Sequence, residues 1–195
     1  MAQIHLPDNE EKLRTSLGEL PEPVVKPCLV VVSGLPGTGK SYFSRRLAQR
    51  TPLVILESDA LRKVLFLSPN YTQEESTSLF QATHRLIETL LKKGVSLVLD
   101  ATNLQEPHRE RLYNISERVD AKLIMVRVEA PDHIVQQRLA DRGREFRRED
   151  KSEATWAVYQ RMKGTSQTIR RNHFAVDTSR DIDPVIQKIV REIDR

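Results

Sequence analysis

The sequence predicts an α/β fold in which a parallel sheet carries helices on its faces, and two features carry that prediction. From Cys28 onward short apolar runs alternate with helical patterns: CLVVV, then KSYFSRRLAQR; LVIL, then an acidic turn; VSLVL, then a helix opened by Pro107; KLIMVRV, then a helix from Asp132. Strands that are each followed by a helix pair in parallel, because the crossover lays the helix against the sheet. The second feature is Gly34-Leu-Pro-Gly-Thr-Gly-Lys40-Ser41, which joins the first run to the first helix.

The remaining elements follow in order. Residues 1–27 read as an N-terminal arm and Pro-rich linker: Leu13, Leu17 and Leu20 recur at i, i+4 and i+7 on a short helix, and the prolines of PEPVVKP forbid further helix. Residues 28–195 form the main domain. The longest helical pattern, Thr72 to Lys93, places Leu79, Ala82, Leu86 and Leu90 on one stripe and ends at Gly94. A last strand, HFAVDTS, precedes a closing amphipathic helix with Val185, Ile186, Ile189 and Ile193.

Composition narrows the class. At 195 residues the chain holds one ordinary domain. Its longest apolar runs reach about a quarter of the roughly 20 residues that a membrane helix requires, and MAQIHLPDNEEKLR lacks the basic start and apolar core of a secretory signal. No membrane partner and a cytoplasmic location are therefore expected. One cysteine, Cys28, excludes an internal disulfide framework and a thiolate zinc site, and reads as buried and inert. The net charge of +4 suits an anionic substrate without the basic excess of a protein that coats nucleic acid.

The segment Gly34 to Ser41 satisfies G-x-x-x-x-G-K-[ST] in the required setting, after a strand and opening a helix. Its glycines let successive backbone N–H groups wrap a phosphate, and the helix N-terminus adds partial positive charge. Gly34, Pro36, Gly37, Thr38, Gly39, Lys40 and Ser41 are thus expected to hold the phosphates of ATP. Lys40 supplies a point charge, and the Ser41 hydroxyl is a ligand for Mg²⁺.

Two further strand ends point the same way. In a parallel sheet the C-terminal strand ends converge on the ligand crevice. Asp59, after LVIL, is placed to accept the proton of an attacking hydroxyl or to cap the helix from Ala60; Arg62 lies one turn on, suited to an anionic acceptor group. VSLVL ends in Asp100, the Walker B arrangement that sets a carboxylate by the metal. Thr102 and Asn103 either contact a phosphate or acceptor, or form the turn before Pro107.

Beyond the fourth strand, Arg138 and Arg142 stand at i and i+4 on a helix that Gly143 breaks into GREFRREDKS. This reads as a lid near 138–152, whose guanidinium groups meet the charge of the transferred phosphoryl. Arg144, Arg147 and Arg148 are acceptor contacts or simply neutralise Glu149 and Asp150. Trp156, Tyr159 and Met162 recur at i, i+3 and i+6, either as a core-facing helical stripe, the commoner arrangement, or as a stacking surface for bases, and His84, His108 and His173 show no metal-ligand spacing.

Four ordered motifs, GLPGTGKS, D-x-x-R at Asp59 and Arg62, D-A-T-N at Asp100 to Asn103 and R-x-x-x-R-G at Arg138 to Gly143, resemble those of the polynucleotide kinase-like and zeta-toxin-like branch of P-loop kinases. The resemblance runs from about Cys28 to the C-terminus. It implies a three-layer P-loop NTPase fold with a five-stranded parallel sheet and Mg²⁺-ATP at its edge. It also implies Asp59 as general base, Arg62 on the acceptor's phosphate and Arg142 on the transferred phosphoryl. The chain departs in one place: Ala101 separates Asp100 from Thr-Asn, whereas the acid directly precedes Thr-Asn in the bacteriophage member of that branch. The implied activity is ATP- and Mg²⁺-dependent transfer of the γ-phosphoryl to a hydroxyl, with a polynucleotide 5′ end among the acceptors. A sugar, nucleoside or antibiotic acceptor, or a nucleotide-binding regulator with no acceptor, are the alternatives.

Overall fold

The computed structural model describes residues 8–144 and 155–195, with side chains for 8–141 and 155–195. The elements run α1 (Asn9–Ser16), β1 (Cys28–Ser33), α2 (Lys40–Ala48), β2 (Val54–Glu57), α3 (Ser58–Leu65), α4 (Gln73–Lys92), β3 (Leu97–Asp100), α5 (Glu106–Arg118), β4 (Lys122–Glu129), α6 (Asp132–Arg144), α7 (Trp156–Thr165), β5 (Phe174–Asp177) and α8 (Asp183–Asp194). The five strands form one sheet in the order β2-β3-β1-β4-β5, and every pairing is parallel. This is the three-layer α/β architecture that the alternation of apolar runs and helices implies.

The side-chain alternation of β1 divides the core. Leu29 and Val31 join Leu97, Leu99 and Met125 beneath α4 and α5 on one face. Val30 and Val32 join Val98, Ile124, Val126 and Val176 beneath α2 and α8 on the other. Being covered on both faces, β1 is buried at all six positions, which is why CLVVV reads as an unbroken apolar run and not an alternating one. Among the described residues no helix is long and apolar enough to cross a membrane.

Helix boundaries follow local chemistry. Thr72 caps α4 by accepting from the Glu75 N–H, and Gly94 follows it in the left-handed conformation at φ 78°. Pro107 sits in the first turn of α5, where its missing N–H costs nothing. Two boundaries differ from expectation. α3 begins at Ser58 with Glu57 in the N-cap position, so Asp59 lies inside the first turn and does not cap a helix from Ala60. α6 runs through Gly143 to Arg144, because one glycine weakens a helix by only about 1 kcal/mol. Residues 145–154, where most of the expected lid falls, lie outside the described residues.

Candidate active site

The loop between β1 and α2 is built by close backbone approach. Gly34 donates its N–H to Thr102 O at 3.0 Å, and a Cβ there would collide with Val128 O, so no larger residue fits. Gly39, at φ 91°, takes the left-handed turn that starts α2 and leaves room for the Thr178 side chain, whose Oγ1 would stand 2.9 Å from a Cβ. Thr38 Oγ1 donates to Leu35 O at 2.8 Å and Lys40 Nζ donates to the same oxygen at 3.1 Å. Thr178, just past β5, donates from Oγ1 to Thr38 O at 2.6 Å.

Beside this loop stand the acids of the neighbouring strands. Glu57 and Asp100 are register partners at the ends of β2 and β3. Asp100 is buried, and its Oδ2 has no hydrogen-bond partner. Burial pushes the Asp100 carboxyl above its ordinary range; Lys40 and a hydrogen bond with Ser41 pull it back, while Asp59 pushes it up further. An orphaned carboxylate oxygen next to a hydroxyl is a donor set that suits Mg²⁺, which binds through one or two protein oxygens and keeps its remaining positions for water and phosphate. Among the described residues no group of three or more His, Cys, Asp or Glu is placed to hold a metal.

Lys40, Ser41, Asp59 and Asp100 line one cavity of about 510 Å³, together with Pro36, Gly37 and Gly39 of the loop. Arg62, Tyr71, Phe80, Val158, Arg161 and Met162 line the same cavity. Arg62 is 8% exposed. Its Nη2 donates to Ser76 Oγ at 3.3 Å, its Nη1 lies 3.7 Å from Glu75 Oε2, and that Nη1 has no hydrogen-bond partner. The Tyr71 ring covers the guanidinium, with Cζ 4.9 Å from its centroid. Tyr71 occupies the left-handed region at φ 55°, a costly conformation for a bulky residue. It is held by its N–H donating to Glu75 Oε2 at 2.8 Å.

The structure thus brings Lys40, Ser41, Asp59, Arg62 and Asp100 to one cavity, and Thr102 lines it as well. Asn103 behaves differently. Buried and at φ 44°, it donates from Nδ2 to Val32 O at 2.7 Å and accepts at its carbonyl from Ser33 Oγ at 3.0 Å, so it builds the turn. Arg138 reaches the phosphate-binding loop directly, with Nη1 to Gly37 O at 3.5 Å, and through Thr178, with Nη1 to Oγ1 at 2.8 Å and Nη2 to Thr178 O at 2.9 Å. The backbone of Arg142 and Arg144 belongs to α6, but their side chains, with Arg147 and Arg148, lie outside the described residues. Tyr159 is buried with Val135 and Leu139, as its place in the stripe implies, and Trp156 packs on them; Met162 instead faces the cavity.

Several residues that line or support the cavity carry no signal in the sequence. Tyr71 and Phe80 carry no spacing signal, since they reach the cavity through a loop and a distant helix. Arg109 is fully buried. It donates from Nη1 to Asn103 O at 2.8 Å, from Nη2 to Gln167 O and Thr168 O at 3.0 Å each, and from Nε to Glu106 Oε2 at 2.7 Å. This one guanidinium ties the turn after β3 to the segment before β5. An arginine among the charged residues of EPHRERLYN gives no sign of that in sequence.

Residues 29–169 match the AAA domain family. The chain belongs to that family. Among proteins similar to this AAA-domain chain, an L-seryl-tRNA(Sec) kinase from Methanococcus maripaludis is 25% identical over 172 residues, 85% of this chain and 64% of that protein. The chain therefore spans just under two thirds of that relative. The structure of the Mycobacterium tuberculosis APS kinase CysC in complex with AMPPNP and APS matches with a TM-score of 0.67 at 15% identity, covering 89% of this chain and 100% of that one. Chaetomium thermophilum Kti12 in complex with ADP-AlF3 matches with a TM-score of 0.67 at 19% identity, covering 85% and 98%. These structural likenesses establish the fold.

Proposed function

We propose that the protein is an ATP- and Mg²⁺-dependent kinase that transfers the γ-phosphoryl of ATP to the hydroxyl of an acceptor bearing both an anionic group and a ring. The observation that carries this reading is the single cavity shared by Lys40, Ser41 and Asp100 at one end and Asp59 and Arg62 beyond them. A nucleotide-binding regulator needs only the first set. The relatives named as kinases, of L-seryl-tRNA(Sec) and of APS, support phosphoryl transfer as the chemistry.

In this reading the backbone N–H groups of residues 37–41 cradle the β- and γ-phosphates, and Lys40 neutralises charge on the transferred group. Ser41 and Asp100 would hold Mg²⁺, which would supply positive charge against the charge developing on the phosphates. Asp59 accepts the proton of the acceptor hydroxyl as its oxygen bonds to the γ-phosphorus; the bond to the β–γ bridging oxygen breaks and ADP departs. Arg62 receives the acceptor's anion on its unbonded Nη1, while Tyr71 and Phe80 offer flat apolar faces to a ring. Arg138 acts at the nucleotide through the loop it is tied to, and Arg142 completes the pair.

A polynucleotide 5′-hydroxyl end meets these requirements, as the polynucleotide kinase-like branch does by resemblance, and a cytoplasmic setting supplies both substrates. The modest volume of the cavity, about 510 Å³, favours a second reading, an acceptor as small as a nucleoside, a sugar or an antibiotic. Incubation with radiolabelled ATP and a panel of 5′-hydroxyl oligonucleotides, nucleosides, sugars and cell extract tests both. Transfer to an oligonucleotide that weakens steeply with added salt marks a polymer acceptor. Label released only to water, across the whole panel, would defeat the kinase reading. Asp59→Asn should abolish transfer, by at least about 100-fold for loss of a general base, while Mg²⁺-ATP still binds.

A further inference from the structure

The acceptor side of the cavity rests on α3 and α4, and part of the packing that holds them comes from the N-terminal arm. α3, which carries Asp59 and Arg62, is 8 residues long, well below the length at which an isolated helix is stable in water. It follows β2, an edge strand of 4 residues. Tertiary packing must therefore fix its position, and it packs on α1 more extensively than on α4 or on β2. α1 packs in turn along α4, which supplies Glu75, Ser76 and Phe80 to the same wall.

The contact is made by specific residues. Leu13 of α1 is 0% exposed and belongs to one buried cluster with Leu61 of α3 and Leu79 and Leu86 of α4. Polar bonds fix the register: Asn9 Nδ2 donates to Ser78 Oγ at 2.9 Å, and Thr89 Oγ1 donates to Glu10 Oε1 at 2.7 Å. The linker is pinned as well, with Val24 N–H donating to Gly94 O at 2.8 Å. Between α1 and this linker, residues 16–21 line a groove that also touches Ala60 and Val64 on the outer side of α3 and extends to Ser41 and Asp100.

We infer that the N-terminal arm is a buttress for the acceptor half-site, with Leu13 a positioning residue that sets α3, and through it Asp59 and Arg62, against the phosphate-binding loop. The functional consequence rests on the kinase reading; the mechanical coupling does not. α2, which carries Lys40 and Ser41, packs chiefly on β1, β2, β3 and α8, so the arm should bear on α3 and α4 far more than on nucleotide binding.

The experiment compares the full chain with Leu13→Ala and with the milder Asn9→Ala. Backbone amide exchange is measured across residues 58–66, 72–80 and 34–48, together with calorimetry of Mg²⁺-ATP binding. KM for ATP and for a phosphorylated acceptor, a 5′-hydroxyl oligonucleotide in the first instance, are measured in parallel. Leu13→Ala should speed exchange in 58–66 and 72–80 at least tenfold and leave 34–48 unchanged. Acceptor KM should rise at least fivefold and kcat should fall, because Arg62 and Asp59 are both displaced, with ATP affinity within twofold. Asn9→Ala should move the same quantities in the same direction by less, and it carries the test if Leu13→Ala does not fold. Unchanged exchange in 58–66 in a variant that still melts cooperatively, or ATP and acceptor affinity falling together, overturns the inference. Faster exchange in α3 with no acceptor ever phosphorylated leaves the buttress standing and removes the kinase reading.

Discussion

Arg138 and Thr178 are joined by two hydrogen bonds, one to the threonine hydroxyl at 2.8 Å and one to its carbonyl at 2.9 Å, and the same hydroxyl donates to Thr38 O at 2.6 Å. A side chain on the segment after β5 thereby reinforces the direct packing of Val135 and Leu139 of α6 against Gly37 of the phosphate-binding loop. Both partners of this hydroxyl are backbone or charged groups whose removal from water must be offset, so its loss leaves an acceptor and a donor short of a bond.

Thr178→Val keeps the shape and deletes the hydroxyl. Mg²⁺-ATP affinity should fall about tenfold, equivalent to about 1.4 kcal/mol and typical of one buried hydrogen bond. Thr178→Ser should restore most of it. Isothermal calorimetry on the two variants checks the prediction; equal affinity in wild type and Thr178→Val would show that the loop does not depend on β5.

Asp100 carries a cost to the fold. Its folded pKa is raised above 3.8, chiefly by burial, so above that value the native state binds more protons than the unfolded state, and stability falls as pH rises through the raised pKa. Asp100→Asn removes this liability. At pH 7 the nucleotide-free variant should melt a few degrees higher, about 2–4 °C per kcal/mol recovered, while its Mg²⁺-dependent ATP affinity drops more than tenfold. Melting curves with and without Mg²⁺-ATP read both effects.

Arg109→Ala should cost about 3–5 kcal/mol, the usual penalty for removing one partner of a buried ion pair, because Glu106 and three carbonyls lose their donor at once. Arg109→Lys should recover only part of this, since an ammonium cannot match the planar fork that serves Asn103, Gln167 and Thr168. Urea denaturation gives the difference directly.

These cases show what was readable beforehand. The parallel sheet and the phosphate-binding loop were legible because each is local: β1 announces itself by an apolar run, and the loop by spacing within eight residues. The placement of Asp59, Arg62 and Asp100 around one cavity was legible because all three stand at or just past strand ends. Whether Asn103 touched a ligand could not be decided from its position in a D-A-T-N string, since its partner, Val32 O, lies 71 positions away in sequence. Arg109 and Tyr71 were silent for the same reason: their roles are set by the carbonyls and the guanidinium that other elements bring to them.

A pH effect follows from His84. Burial first, then Arg111 and His108, hold its pKa down at about 4, and Phe80 packs on both His84 and His108. The unfolded ring titrates near 6.5, so the unfolded state binds more protons between the two values. Stability is full above pH 6.5 and is lost as pH falls toward 4, by at most about 3 kcal/mol and less for a ring that is only partly buried. His84→Gln should flatten this decline. Chemical denaturation at pH 7, 6, 5 and 4.5 measures it, and equal slopes in both proteins would remove His84 as the cause.

Cys28, the chain's one sulfhydryl, is 1% exposed at the head of β1, and burial pushes its thiol up to about 12. Folded protein therefore offers alkylating dyes nothing to attack. A cysteine placed at Leu67, on the exposed connection from α3 to α4, would take a fluorophore alone in the native background, giving an optical report on the wall that bears Arg62 without first engineering the natural residue away.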